Sequence, residues 1–404
     1  MNIVFKNTIF LFVLQIFNYA TPLLLLPFLT RTLPVGEFGA VMVAMSALQL
    51  AFVITDYGFG LSATYNIAKN RDDKVYVNNL IARIFTSKLI LVCIAVAFLL
   101  VVAALPVYAH YELIFVCGVL AIVAQAYQPL WFFQGLERMK NYTIYMVLTK
   151  IIHVCLVILL VKNHGDGCFV LLSWSFSNLV GMAAALLMVR RLGYTLGFSK
   201  IIDSVTELKK SAQFFWSRLS VALYTSASAI IVGTSGLHQA ALFSAAEQAY
   251  KAGQNVTSPI SQSLYPYMAK EKNWVLFKKV VFPVGMLILI GSSVVSYFGE
   301  FFLGLVFGPD YLGAKQVLNV FMLTLTVNFF GVNFGYPACA AIERPDIANK
   351  TVMFGVMLHA SVITFLLITR KITAFNVALS VLITELLVMF LRVYLLRRNL
   401  RKLS

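Results

Sequence analysis

Runs long enough to cross a bilayer return along the whole chain, at residues 9–30, 38–59, 84–105, 113–134, 142–161, 168–189, 212–233, 239–268, 280–306, 315–341, 351–369 and 374–396. A helix needs roughly 20 predominantly apolar residues to span the hydrocarbon core. Inside that core every backbone polar group must be satisfied within the protein, which leaves helices and closed barrels as the available structures. Runs of this length are helical, so the spacing predicts an all-α polytopic membrane protein of about twelve transmembrane helices. Composition agrees: of 404 residues 60% are hydrophobic and only 12% charged, where soluble domains carry about 25% charge. No stretch between the runs could form a separate soluble domain. The first run, after Lys6, is too long for a signal-peptide core and lacks a small-residue cleavage site, so it is expected to be retained.

The net charge of +16 would suit a nucleic-acid binder only if the cations formed one patch with interleaved aromatics. Instead they fall in short clusters between apolar runs, which excludes nucleic acid as a partner. Numbering the connections from a cytoplasmic N-terminus, the inner ones hold Lys6, Lys69, Arg71, Lys74, Arg83, Lys88, Arg138, Lys140, Arg190, Arg191, Lys200, Lys209, Lys210, Lys270, Lys272, Lys278, Lys279, Arg344, Lys350, Arg392, Arg397, Arg398, Arg401 and Lys402. The outer ones hold only Arg31, Lys162, Lys315, Arg370 and Lys371. Positive charge marks cytoplasmic loops, and this imbalance predicts an even number of spans with both termini cytoplasmic.

The longest connection, near residues 190–211, carries Gly193, Gly197 and Ser199 and divides the runs six and six. Two six-helix lobes, residues 1–198 and 199–404, around a central cavity are the expected architecture, as in transporters that bind substrate between repeats. That division rests on counting, because the halves show no sequence repeat. The five cysteines have no C-x-x-C spacing and read as small apolar membrane residues.

One run is unlike the others. Glu247 to Pro266 reads EQAYKAGQNVTSPISQSLYP. Wound at about 100° per residue, it places Glu247, Lys251, Gln254, Ser258, Ser261, Gln262 and Tyr265 on one face and Ala246, Ala249, Val256, Ile260 and Leu264 on the other. A cation and a carboxylate in mid-span favour a helix lining a wet cavity over one lying in the membrane interface. Pro259 removes a backbone donor and bends the helix. Lys251 is about 13 residues into its span, too deep to reach either surface easily. It is either an anion-binding group or a structural partner of Glu247 in the favourable i,i+4 order.

Other intramembrane charges are candidates of the same two kinds. Arg218, early in the seventh run with Ser217, Ser220, Tyr224, Thr225 and Ser228 nearby, lines the cavity or reaches the cytoplasmic surface. Lys150 and His153 in the fifth run share that ambiguity, and Arg31 ends the first run as an anchor or a cavity group. Glu247, Glu385 and Asp56 are carboxylates able to carry a coupling ion or to serve as fixed partners of a nearby Arg or His such as His359. Gln15, Asn18 and Pro22 share a face of the first run, where helix–helix bonding explains them as well as substrate contact. Pro22, Pro27, Pro129, Pro283 and Pro337 predict kinks. There is no G-x-x-x-x-G-K-[ST], H-E-x-x-H, G-x-S-x-G or Cys/His cluster, so no P-loop ATP hydrolysis, metal centre or nucleophilic catalysis is expected.

Five stretches resemble, in order, the polysaccharide flippases, the O-antigen repeat-unit transporters of the multidrug/oligosaccharidyl-lipid/polysaccharide exporter superfamily. They are NYATPLLLLPFLTRTLPVGEFG (Asn18 to Gly39), DYGFGLSATYNIAKNRDD (Asp56 to Asp73), PLWFFQGLERMK (Pro129 to Lys140), FFWSRLSVALYTSAS (Phe214 to Ser228) and SPISQSLYPYMAK (Ser258 to Lys270). Tyr65 departs from the pattern, standing where a basic residue is expected. The resemblance implies transfer of an isoprenoid-pyrophosphate-linked oligosaccharide, such as an O-antigen unit for lipopolysaccharide, from the cytoplasmic to the outer leaflet of a bacterial inner membrane. It implies alternating access through a cationic cavity, without catalysis. Lys251 and Arg218 would attract pyrophosphate or acidic sugars, and Gln254, Ser258 and Gln262 would bond sugar hydroxyls. It further implies no cofactor beyond H+ or Na+ coupling, and polysaccharide-assembly proteins as partners.

Two other functions fit a polytopic chain. A drug exporter of the same superfamily would have a cavity dominated by carboxylates and aromatics, whereas Lys251 stands in mid-span here. A membrane-embedded glycan polymerase usually carries a large outer loop with catalytic groups, and no outer connection here exceeds about ten residues.

Overall fold

The computed structural model describes the backbone of residues 3–403, and the side chains of these except 3–9, 11, 213, 217, 220, 221, 223–225 and 401–403. Among them the regular structure is helical throughout. Contacts gather the chain into two compact units, Met1–Ile230 and Ile231–Ser404.

In the first unit, α1 (Ile3–Thr32) stays continuous across Pro22 and Pro27. Pro34, in extended conformation, ends the turn into α2 (Val35–Asp56). The second span then breaks. Tyr57 and Gly58 both take left-handed conformations before α3 (Phe59–Lys69) resumes. Asp73 caps α4 (Lys74–Ala103) by accepting from the Tyr76 amide at 2.9 Å, the usual remedy for an orphan N-terminal donor. The fourth span is three pieces, α5 (Glu112–Cys117), α6 (Val119–Ala126) and α7 (Leu130–Gly135), interrupted at Gly118 and again before Pro129. There follow α8 (Met139–Leu160), α9 (Gly167–Arg191) and α10 (Ile201–Gly233). Trp131, Phe132 and Phe133 of α7 are the heart of this unit's core, with Tyr142, Tyr145 and Tyr194 around them. The stretch PLWFFQG therefore works in packing.

The connection expected at 190–211 is only residues 192–200, because α10 begins at Ile201. Its first turns are inverted relative to a soluble helix. Ser204, Glu207 and Ser211 are buried, while Ile201, Ile202 and Val205 are exposed. The buried stripe bonds to α3 and α4: Ser211 to the Ser62 hydroxyl at 2.8 Å, Glu207 to Arg83 at 3.6 Å, and the Ser204 carbonyl to Ser87 at 3.1 Å. Thus α10, which the sequence spacing assigns to the C-terminal lobe, falls almost wholly within the first unit.

The second unit begins with α11 (Leu237–Glu271), 35 residues containing Pro259 and Pro266. Next are α12 (Trp274–Tyr297), capped by Asn273, and α13 (Gly299–Val306). A 3-10 turn leads to α14 (Lys315–Phe334), and a break at Gly335 separates it from α15 (Tyr336–Ala341). The unit closes with α16 (Asp346–Ile368) and α17 (Ala374–Leu403). Helix α14 is the centre, packing on α11, α12 and α17. Ten described segments are long and apolar enough to cross a membrane. Adding α10 and α11 gives the twelve spans that the spacing predicts. The chain is an all-α, multi-pass membrane protein.

Candidate functional site

The polar face of α11 carries the site. At its upper end Lys251 Nζ lies 2.9 Å from Glu247 Oε2; the lysine side chain is 38% exposed and the carboxylate 8%. One turn on, Gln254 Nε2 donates to Tyr250 Oη at 2.7 Å and to Asn328 Oδ1 of α14 at 3.0 Å. Tyr250 stacks on Phe321 of α14 with centroids 5.3 Å apart. Gly253 allows this close approach, its missing side chain leaving room for Leu325. Further along, Gln262 Nε2 donates to Ser258 Oγ at 2.7 Å.

Below that pair is a cavity of about 490 Å³, lined by Gln254, Thr257, Ser258, Ser261, Gln262 and Tyr265 of α11, with Asn328, Phe329, Val332, Tyr336 and Pro337 of α14 and α15. Every lining residue is uncharged. Tyr265 meets Tyr336 edge to face, centroids 6.0 Å apart, and Tyr336 Oη donates to Asn349 Oδ1 at 2.5 Å. A second hollow, about 420 Å³, is lined by Leu289, Ile290, Ser293, Val294 and Tyr297 from successive turns of α12, with Phe298 just after it. Its wall is the exposed, mostly apolar face of one helix.

Of the expected site residues, the structure brings Gln254, Ser258 and Gln262 onto one cavity and sets the Glu247–Lys251 pair just above them on the same helix. Glu385 of α17 is buried in this unit, facing α14 near Gly331. In the first unit Arg218 Nη1 bonds Asp56 Oδ2. The pair sits over Gly60, where a Cβ would come within 3.1 Å of Arg218 Nη1 and 3.2 Å of Asp56 Oδ1. The break at Tyr57 and Gly58 presses on the same turn of α10, with Tyr57 stacked on Phe215 at 4.4 Å. Arg31 stands exposed in the last turn of α1. Ser217, Ser220, Tyr224 and Thr225 lie outside the described side chains. His153 is buried beside Trp174, and Gln15 bonds Tyr19 of its own helix.

Two cations assigned to cytoplasmic connections are buried within helices instead. Lys88, midway along α4, donates to the Ala126 carbonyl at the break after α6. Arg392 of α17 donates to the Gly331 carbonyl at 2.7 Å and to Thr351 Oγ1 at 2.9 Å, bracing α14 just before its own break. Arg392 stands inside the apolar run VMFLRVYLL and Lys88 is followed at once by the apolar LILV, and that was the available signal. Glu37, also buried, accepts from the Gly165 and Gly167 amides at 2.9 and 2.6 Å, a carboxylate at the N-terminus of α9 where the helix dipole favours it. Outside the spans, Lys272 Nζ lies 2.5 Å from Glu343 Oε1. That hydrogen bond and charge hold the Glu343 carboxyl below its ordinary range, tying the end of α11 to the connection between α15 and α16.

The fold is shared with known transporters. The solved lipid II flippase MurJ in its inward closed conformation superposes with a TM-score of 0.76 at 11% identity, covering 97% of this chain and 87% of that one. An inward-facing multidrug resistance MATE transporter of the MOP superfamily gives 0.67 at 13% identity, covering 95% of each. In sequence, an Escherichia coli K12 protein provisionally named an O-antigen transporter is 28% identical across 98% of this chain and 97% of its own length. One from Shigella dysenteriae with the same provisional name is 26% identical across 95% and 97%. The family model described as polysaccharide biosynthesis protein matches residues 4–272, from the start of α1 through the end of α11. With most of its 404 residues, the polar helix included, inside that match, the chain belongs to the polysaccharide biosynthesis protein family.

Proposed function

We propose that the protein moves isoprenoid-pyrophosphate-linked oligosaccharide units, of the kind that build O-antigen, from the cytoplasmic to the outer leaflet of the bacterial inner membrane. It does so as a transporter and not as an enzyme, with both termini cytoplasmic and polysaccharide-assembly proteins receiving its product. The observation that carries this is the hydroxyl- and amide-lined cavity along α11, within a chain that is otherwise apolar. The family, the provisional names of the two relatives and the flippase-like fold support the same reading. Alternating access by two lobes would carry the headgroup while the lipid tail stays in the bilayer.

The ion pairs suggest how transport is driven. Lys251 and Arg218 are the cations for the pyrophosphate, and each is held by a carboxylate. When the diphosphate takes the cation, Glu247, at 8% exposed, is left as a buried charge without its partner, which is strongly unfavourable, and Asp56, at 24%, less so. Uptake of H+ or Na+ by that carboxylate restores neutrality and links cation entry to substrate entry. Glu385 is the third candidate for this role.

The test is deletion of the gene in its native host, followed by locating the lipid-linked units. Units that accumulate shielded from a probe added outside show that translocation is the lost step. Units that accumulate within reach of the probe would show that polymerisation is lost, and an enzyme would replace the flippase.

A further inference from the structure

We infer that the cavity along α11 reads an uncharged, acetamido-bearing sugar of the repeat unit and rejects acidic ones; this rests on the flippase reading and specifies its substrate. The cavity wall offers amide and hydroxyl groups and two tyrosine rings, and no side chain that could neutralise a carboxylate. The nearest cation on the same helix, Lys251, is paired with Glu247 at 2.9 Å and, once substrate enters, is the group the diphosphate takes. An acidic sugar entering here would give up part of its hydration without a counter-charge, and neutral donors return less than that costs.

The unused hydrogen-bonding capacity has the complementary form. Gln254 Nε2 is engaged with Tyr250 and Asn328, which leaves Gln254 Oε1 as an acceptor. Asn328 uses its oxygen in that bond and keeps its Nδ2 donors. An acceptor on one helix beside a donor on the next matches the N–H and C=O of a secondary amide, as an N-acetylated sugar presents. Gln262 Nε2 is held by Ser258, and its Oε1 adds an acceptor for a ring hydroxyl. The edge-to-face pair Tyr265 and Tyr336 supplies an apolar wall for the C–H face of a pyranose. About 490 Å³ falls within the 300 to 1,000 Å³ of small-molecule sites, room for a few rings and not for a polymer.

The experiment uses the full-length protein in liposomes and two probes, polyprenyl-pyrophosphate-linked disaccharides differing only in their outer sugar, N-acetylglucosamine or glucuronate. The unaltered protein should flip the first at least about tenfold faster. Gln262→Lys should narrow that ratio severalfold by supplying a cation; Gln262 is an exposed residue of the cavity wall, and Ser261→Lys serves if that variant does not insert. Equal rates, or faster transfer of the glucuronate probe, would overturn the inference and leave the flippase standing. A preference untouched by either lysine would place recognition elsewhere and overturn the assignment to this cavity. Transfer of neither probe would remove the flippase reading and the inference with it.

Discussion

Removing Lys251 does two things at once. It takes away a cation, and it leaves Glu247, whose side chain is 8% exposed, without its partner. The second effect alone should lower stability by about 1–3 kcal/mol, less than for a fully buried pair because the lysine is partly solvated. The Lys251→Ala and Glu247→Ala/Lys251→Ala variants therefore separate the roles. The double variant should recover the thermal stability lost in the single one, measured in detergent, while transport of lipid-linked units stays reduced. Recovery of transport together with stability would make the lysine a structural partner only. This polar face was legible in the sequence, since a period of 100° per residue needs only one helix to be continuous. The partners Asn328 and Tyr336 were not, because they arrive from α14 and α15. Nor was the pairing of Arg218 with Asp56, 162 residues apart. Lys88 and Arg392 were misplaced for a different reason: each sits near charged loop ends, where a rule about loops claims it first.

At the scale of elements, the breaks matter more than the helices they interrupt. The second span is severed at Tyr57 and Gly58, and the fragment DYGFG there is fixed by sterics. Gly58 has φ +79, and a Cβ would stand 2.6 Å from Phe214 Cβ and 3.0 Å from the Phe215 nitrogen. Gly58→Ala should lower stability by at least about 1 kcal/mol from the backbone conformation alone, with more from moving α10. Thermal unfolding of the purified variant checks this, and an unchanged midpoint would mean the junction gives way easily. Kinks were expected at six prolines, Pro259 among them, and α11 runs on through that one. The structure uses Pro129 and Pro337 at true breaks, whereas α1 runs through Pro22 and Pro27 and α12 runs through Pro283. A proline inside a span marks a lost donor, and neighbouring packing decides whether the helix stops there.

For the whole molecule, twelve spans require that connections alternate sides. A cysteine-free version carrying His164→Cys, in the connection before α9, should react with a membrane-impermeant maleimide on intact cells. The same version carrying Lys270→Cys, at the end of α11, should react only after permeabilisation. Both residues are exposed; a shared pattern would contradict the three spans placed between them, and a reversed one would put both termini outside. The number of spans and their helical nature were readable because the bilayer imposes one length on every crossing. The extent of each helix was not, since α4 and α10 continue well past the apolar runs that announced them. Helix α11 has a consequence for synthesis. It is the long, fully described helix that does not qualify as a crossing segment on its own apolarity, and its main packing partners in its own unit, α14, α15 and α17, all follow it in the chain. When α11 leaves the ribosome, nothing yet made in that unit can shelter its polar side. Within its unit the cavity face of α11 is closed only when α14 and α15 have followed it, so the order of translation becomes part of how the cavity is built.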